Sequence, residues 1–161
     1  MITITKASPQ DASKLLKIQK QVFQKYTDKY GEFDRNPADM SLSRMKFNIN
    51  YQFGQYYIIK KDDDIIGGLF AFEMDVVNTM KIAQFYILDW FQNQGIGTQT
   101  LNFIFDHNPQ IKHCYVDTIY EEKHNLAFYR RNGFEIIDEE GYAAFEEDHE
   151  GLKFCNLERS C

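Results

Sequence analysis

Between residues 85 and 98 the chain reads Phe-Tyr-Ile-Leu-Asp-Trp-Phe-Gln-Asn-Gln-Gly-Ile-Gly-Thr, and no other run constrains the fold as tightly. A β-rich stretch, residues 80–88, feeds a short loop with glycines at 95 and 97. The amphipathic run 98–108 leaves that loop with Leu101, Ile104 and Phe105 on one side, and Pro109 stops it. Residues 112–118 are again β-rich. Strand, helix and strand in this order predict a parallel crossover, so part of the sheet must be parallel.

The flanking sequence adds antiparallel elements around that unit. Residues 1–5 alternate as a first strand. Ser8-Pro9-Gln10-Asp11 then opens a helix with a capping serine, a proline at the first position and an acid at the third. Ala12, Leu15, Leu16, Val22, Phe23 and Tyr26 form its apolar stripe, interrupted by Gln19. Asn36-Pro37-Ala38-Asp39 repeats the start signal before a shorter face of Leu42, Met45 and Ile49. Residues 55–60 and 65–74, split by Asp62-Asp63-Asp64, read as a hairpin. Residues 124–132 form a helix ending at Asn132-Gly133, where glycine accepts the left-handed conformation. Residues 134–138 and 152–157 complete the set. The expected order is β-α-α-β-β-β-α-β-α-β-β in one α/β domain spanning 1–161, a mixed sheet with helices on both faces. Strand 152–157 is expected at an exposed edge, where two copies could pair as a homodimer.

Composition narrows the function classes. A net charge of −6 argues against nucleic acid, whose phosphates need a basic face, and sits better with a cationic small substrate. No stretch approaches the roughly 20 apolar residues of a membrane helix, and the N-terminus lacks the layout of a signal peptide, so a cytoplasmic location is expected. Cys114, Cys155 and Cys161 lack disulfide or zinc spacing, and the four histidines lack ligand spacing, so no metal is expected.

The glycine loop at 92–98 carries the chemistry. N–H groups at a helix start point outward, and the helix dipole adds partial positive charge, so a pyrophosphate can bind without a basic surface. Glycine also removes a Cβ that would hold a phosphate away. The alternative is a tight turn that needs glycine for geometry alone. The Walker pattern and the full dinucleotide fingerprint are both absent.

Gln92-Asn93-Gln94-Gly95-Ile96-Gly97 resembles Q/R-x-x-G-x-G/A, the acetyl-CoA motif of the GNAT superfamily of N-acetyltransferases. Downstream, Asn125-Leu126-Ala127-Phe128-Tyr129-Arg130-Arg131-Asn132-Gly133-Phe134 resembles the family's N/A-x-x-F/Y-Y-x-x-x-G-F helix and strand. The resemblance implies a mostly antiparallel sheet of about seven strands whose parallel fourth and fifth members splay apart. It implies acetyl-CoA as cosubstrate, with the pantetheine arm against the backbone of Ile87, Leu88 and Asp89. The pyrophosphate would lie on the N–H groups of Gln92, Asn93, Gln94, Gly95, Ile96, Gly97 and Thr98. Asn125 is the candidate contact to the cofactor arm, although the family's asparagine falls three residues earlier, on Glu122.

By the same resemblance Tyr129 is the general acid that protonates the departing thiolate, the alternative being an aromatic core residue. An acceptor ammonium has a pKa near about 10.4 and must lose a proton before attack. The family's glutamate neighbourhood reads Lys81-Ile82-Ala83-Gln84 here, without a carboxylate, which leaves Glu73, Asp75 or a water relay as base. Cys114 raises an acyl-cysteine route, set against a buried structural thiol. The acceptor is a small-molecule or peptide amine. Two stretches are candidates for its pocket: Tyr26, Tyr30, Phe33 and Asp34, and the acidic loop of Glu139, Glu140, Glu146, Glu147, Asp148 and Glu150 with Tyr142 and Phe145. Three readings stay open: an acetyltransferase working by direct attack in a ternary complex, an enzyme using a longer acyl group, and a catalytically silent CoA-binding regulator.

Overall fold

The computed structural model describes residues 1–33, 36–137 and 153–161 in full and the backbone of 145–147. Asp34, Glu139, Glu140, Tyr142, Asp148 and Glu150 lie outside the described residues, as do the side chains of Phe145, Glu146 and Glu147. Eight strands form one sheet: β1 (Ile2–Lys6), β2 (Gly54–Lys61), β3 (Asp64–Glu73), β4 (Thr79–Ile87), β5 (His113–Ile119), β6 (Glu135–Ile136), β7 (Phe145–Glu147) and β8 (Lys153–Ser160). Four helices accompany them: α1 (Ala12–Tyr30), α2 (Leu42–Asn50), α3 (Ile96–His107) and α4 (Lys123–Arg131). The strand order is β1-β2-β3-β4-β5-β8-β6, with β7 also on β8. Among the described residues, only β4 and β5 pair in parallel. The mixed sheet with helices on both faces is thus as the sequence predicts.

Strand β8 is not an edge. It pairs with β5 on one side and with β6 and β7 on the other, which corrects its expected place and removes the strand edge on which a homodimer was argued. Its residues Cys155 and Leu157 are fully buried, and that apolar content draws it inside. The segment expected as a plain acidic loop contributes the three residues of β7 to that outer side.

Two helix starts differ from expectation, one by a 3-10 turn and one by two residues. Pro9–Asp11 forms a 3-10 turn before α1 begins at Ala12. Ser8 N–H donates to the Asp11 carboxylate at 2.8 Å, the reciprocal half of the expected cap. Helix α3 begins at Ile96 rather than at 98, because Gly95 takes φ +79° and turns the chain straight into the helix.

Two cores flank the sheet. On the α1/α2 face Leu15, Ile18, Val22 and Met45 pack on Tyr56, Ile58, Phe70 and Tyr86. On the α3/α4 face Leu101, Ile104, Leu126 and Tyr129 pack on Leu69, Ile82, Val116 and Leu157. Gln19, the polar break in the α1 stripe, is fully buried and satisfied: its Nε2 donates to the Pro37 carbonyl at 2.9 Å and its Oε1 accepts from Tyr56 at 3.4 Å. It ties α1 to the turn preceding α2.

The sheet opens where β4 meets β5. Their rungs run from Thr79–His113 to Ile82–Val116 and stop, although β4 continues to Ile87 and β5 to Ile119. At that point β4 carries a bulge. Phe70 pairs with Gln84 and Ala71 with Ile82, so Ala83 is an extra residue. A bulge bends its strand and disrupts the ladder, and here it directs β4 away from β5.

On the other side of β4, Gly67 and Gly68 of β3 bring the backbones close. A Cβ at Gly67 would stand 2.2 Å from the Tyr86 carbonyl oxygen, and one at Gly68 would meet the Tyr86 ring. The contact at 67 is backbone against backbone, so no rotamer relieves it. Gly67→Ala is expected to destabilise the fold by about 3 kcal/mol, the upper end of overpacking costs, read as a lowered urea midpoint with unchanged slope.

Candidate functional site

The gap between β4 and β5 opens into a cavity of about 430 Å³ that passes from the α1 face to the α3/α4 face. Of the residues expected at a cofactor site, Ile87, Gln92, Asn93, Gly95, Ile96, Gly97, Thr98, Asn125 and Tyr129 line it. Leu88, Asp89 and Gln94 do not. Leu88 N–H donates to the Ile66 carbonyl at 2.9 Å and is committed to the sheet. The Asp89 carboxylate accepts from Lys25 Nζ at 3.0 Å and Gln92 Nε2 at 3.1 Å. Gln92 Nε2 also reaches the Ile87 carbonyl at 2.8 Å. Gln92 and Asp89 therefore brace the loop from behind through their side chains.

The loop itself is shaped by two left-handed residues, Asn93 (φ +63°) and Gly95 (φ +79°). Alternating left- and right-handed residues turn successive N–H groups toward one concavity. Gln99 N–H makes the first helical bond, to the Gly95 carbonyl. Among the described residues, the N–H groups of residues 93–98 have no partner. Six donors thus gather at the mouth of a 12-residue helix, an arrangement able to take an anion with no lysine in the loop. Gly97 also meets a packing requirement. Its Cβ would stand 2.7 Å from the Phe128 ring, so glycine lets α3 and α4 approach each other. Phe128 in turn packs edge-on against Phe85 and Tyr129.

Tyr129 sits on α4 at the cleft wall, 8% exposed. Burial pushes its phenol well above the usual range, and the neighbouring Tyr26, Cys114 and Asp117 push it further. The hydroxyl thus keeps its proton at neutral pH and is available as a proton donor. Asn125 Nδ2 donates to the Tyr26 hydroxyl at 3.0 Å, which holds α4 to α1 across the cleft. Glu122, at the N-cap of α4, accepts from Lys29 Nζ at 2.7 Å and Tyr30 at 2.8 Å. Burial opposes ionisation of Glu122, but those two partners outweigh it and hold its carboxyl below the usual value.

The structure does not bring Glu73 or Asp75 to the cleft. Both are exposed, at and just beyond the far end of β3, where Glu73 N–H bonds the Phe53 carbonyl. Cys114 is fully buried in the α3/α4-side core, which raises its thiol pKa, and neighbouring His113 instead pairs with Glu158 at 2.8 Å. An acyl-cysteine route has no geometric support. Of the expected acceptor residues, Tyr26 and Phe33 line the cavity, whereas Tyr30 serves Glu122.

Sequence reasoning missed three lining features. Lys81 Nζ and Asp117 Oδ2 form an ion pair at 2.8 Å across the start of the gap. Gln84 lines the same wall with an Oε1 that is buried and unpartnered. Phe154 of β8 joins Phe33 at the acceptor end. Strand alternation could have signalled the first, since Asp117 is the lone acid of 112–118 and opposes Val116 in face.

Comparison with known proteins agrees with this architecture. A sequence profile described as acetyltransferase (GNAT) family matches residues 19–134. No curated protein matches the chain in sequence. Among solved structures, a probable acetyltransferase from Staphylococcus epidermidis superposes with TM-score 0.77 at 16% identity, covering 99% of each chain. The PaiA N-acetyltransferase from Thermoplasma acidophilum, solved in complex with coenzyme A, gives 0.72 at 15% identity over 100% of this chain and 99% of its own. The ribosomal-protein-S18-alanine N-acetyltransferase from Escherichia coli gives 0.74 at 13% identity over 99% and 94%. At such identities the superpositions speak for the fold, and the profile, which spans well over half of the sequence, speaks for descent. The chain belongs to the acetyltransferase (GNAT) family.

Proposed function

We propose that the protein transfers an acetyl group from acetyl-CoA to a primary amine by direct attack in a ternary complex. The observation that carries the reading is the row of unpartnered N–H groups at residues 93–98 opening onto the cleft that Tyr129 also lines. Acetyl-CoA supplies an acyl group already activated as a thioester.

The residues divide the work. The 93–98 amides fit a pyrophosphate, because they offer many donors and partial positive charge while requiring no counterion. The Ile87 edge of β4, unpaired beyond Ile82, offers backbone groups to an extended amide-bearing arm as a missing strand would. Tyr129, kept protonated by its burial, donates to the sulfur as it leaves. The cleft reaches both faces of the sheet, so donor and acceptor can be held together without a covalent enzyme intermediate.

Two outcomes check this. Thr98→Glu places a carboxylate in the first turn of α3, where it favours the helix but repels a phosphate. Calorimetry should show acetyl-CoA affinity reduced at least about tenfold with the melting temperature unchanged or raised; unchanged affinity would reject the assigned cradle. Tyr129→Phe should lower kcat about 100-fold with the acetyl-CoA Kd preserved, measured as thiol release with an amine panel. Tight CoA binding with no turnover of any amine by the wild-type protein would instead favour a silent CoA-binding regulator.

A further inference from the structure

The apex of the cleft holds two polar side chains, Asp117 and Gln84, to which neither the family assignment nor the sequence motifs give a role. Asp117 is the one carboxylate among the described residues that line the cavity. Strand alternation fixes its face. Cys114 and Val116 pack into the α3/α4-side core, so Asp117 points with Ile119 toward α1, where Ile119 meets Tyr26 and Phe33. Gln84 comes to the same side from β4, because it lies two residues before Tyr86, which packs on the α1 face. Both residues stand just past the last β4–β5 rung, Ile82–Val116, on either side of the apex of the gap.

Their hydrogen-bonding states differ from those of ordinary wall residues. Gln84 Oε1 is buried without a donor, a costly condition that a ligand N–H would relieve. Asp117 is held by Lys81 yet remains 28% exposed, so it is oriented without being sealed. The charged groups around it are Lys81 from β4 and, from α4, Tyr129, whose phenol responds to the Asp117 charge. From β8, Cys155 responds to that charge as well. The wall beyond is apolar and aromatic: Tyr26, Phe33, Ile119 and Phe154. The lining also has Lys25, Lys81 and Arg131 against the single Asp117, which opposes acceptors of several positive charges.

Building on the proposed acetyl transfer, we infer that Asp117 and Gln84 receive the acceptor's amino group, and that the acceptor is a monoamine on an aromatic or aliphatic stem. An acceptor that has released its ammonium proton to solvent can give one N–H to Gln84 Oε1 and another to Asp117, which leaves its lone pair for attack. As the nitrogen bonds the thioester carbonyl carbon, the adduct's N–H becomes acidic and its proton passes to the Asp117 carboxylate. The carbon–sulfur bond then breaks with its electron pair going to sulfur, which takes the Tyr129 proton. Asp117 then releases its proton to solvent and the Tyr129 phenolate takes one from solvent, so both groups are restored with no net change.

The test measures thiol release from acetyl-CoA with phenethylamine and with spermidine. Asp117→Asn should lower kcat/KM for phenethylamine about 100-fold at pH 7 with acetyl-CoA affinity unchanged, and the deficit should shrink as pH rises toward 9.5, where solvent takes the proton more readily. Should that variant fold poorly because Lys81 loses its partner, Asp117→Asn combined with Lys81→Gln removes both charges and carries the same expectation. Gln84→Met should raise the amine KM without lowering the melting temperature, since it deletes an unsatisfied buried oxygen. Wild-type kcat/KM for phenethylamine should exceed that for spermidine about tenfold. Asp117 variants within twofold of wild type, an unchanged KM in the Gln84 variant, or a preference for spermidine would overturn the inference while leaving acetyl transfer intact. A wild-type protein that acetylates neither amine nor any other in a broad panel would count against the transfer reading itself.

Discussion

One extra residue in β4 governs the molecule's chemistry. With Ala83 unpaired, the ladder from β4 to β5 ends at Ile82–Val116, and the two strands leave with unused backbone groups facing each other. Such an opening is unfavourable in a closed sheet, where each buried N–H and C=O seeks a partner. It persists because both diverging strands are held from outside the gap. The remainder of β4 is bonded to β3 through to Gly67–Ile87, and β5 is bonded along its whole length to β8. The glycines at 67 and 68 matter for the same reason: they let the β3 backbone follow β4 closely as it bends.

The width of the gap is set from a distance by α1. Its last two turns reach both sides of the opening. Lys25 bonds Asp89 beyond the end of β4, while Lys29 and Tyr30 bond Glu122 beyond the end of β5. Tyr26, between them, accepts from Asn125. The C-terminal part of one helix thus spans the mouth of the cleft and connects its two lips. The individual ion pairs are exposed enough to contribute little stability on their own. Their value is positional, because they fix where the α4 N-terminus, and with it Tyr129, stands relative to β4.

Net charge proved a poor guide to the cleft. The protein carries −6 overall, which on its face favours a cationic ligand. Yet the described lining of the cavity has three cationic side chains and one carboxylate, and the main-chain N–H groups of residues 93–98 add partial positive charge that no charge count includes. The local field depends on which side chains the fold turns inward, and most of the acidic ones are turned out.

Much of the architecture was legible from residue order. Periodicity and cap residues place all four helices and most strands, because those signals act over a few neighbours: Ser8 with Asp11, Gly95 with the start of α3, Gly133 with the end of α4. The strand–glycine–helix run likewise marked a helix start with unpartnered N–H groups, since a helix start presents them whatever surrounds it. What residue order could not settle were relations between distant segments. That Gly97 packs against Phe128, that Cys114 is sealed in the core, that Glu73 is turned to solvent outside the cavity lining and that β8 is an inner strand all depend on which elements pack together. Asp117 reads in the sequence as an ordinary residue of a short strand, and only the opening of the sheet beside it puts that carboxylate on the cavity wall. Local sequence determines backbone conformation because its forces reach a turn or two, whereas the chemistry of a side chain depends on burial and partners that exist only once the chain has closed on itself.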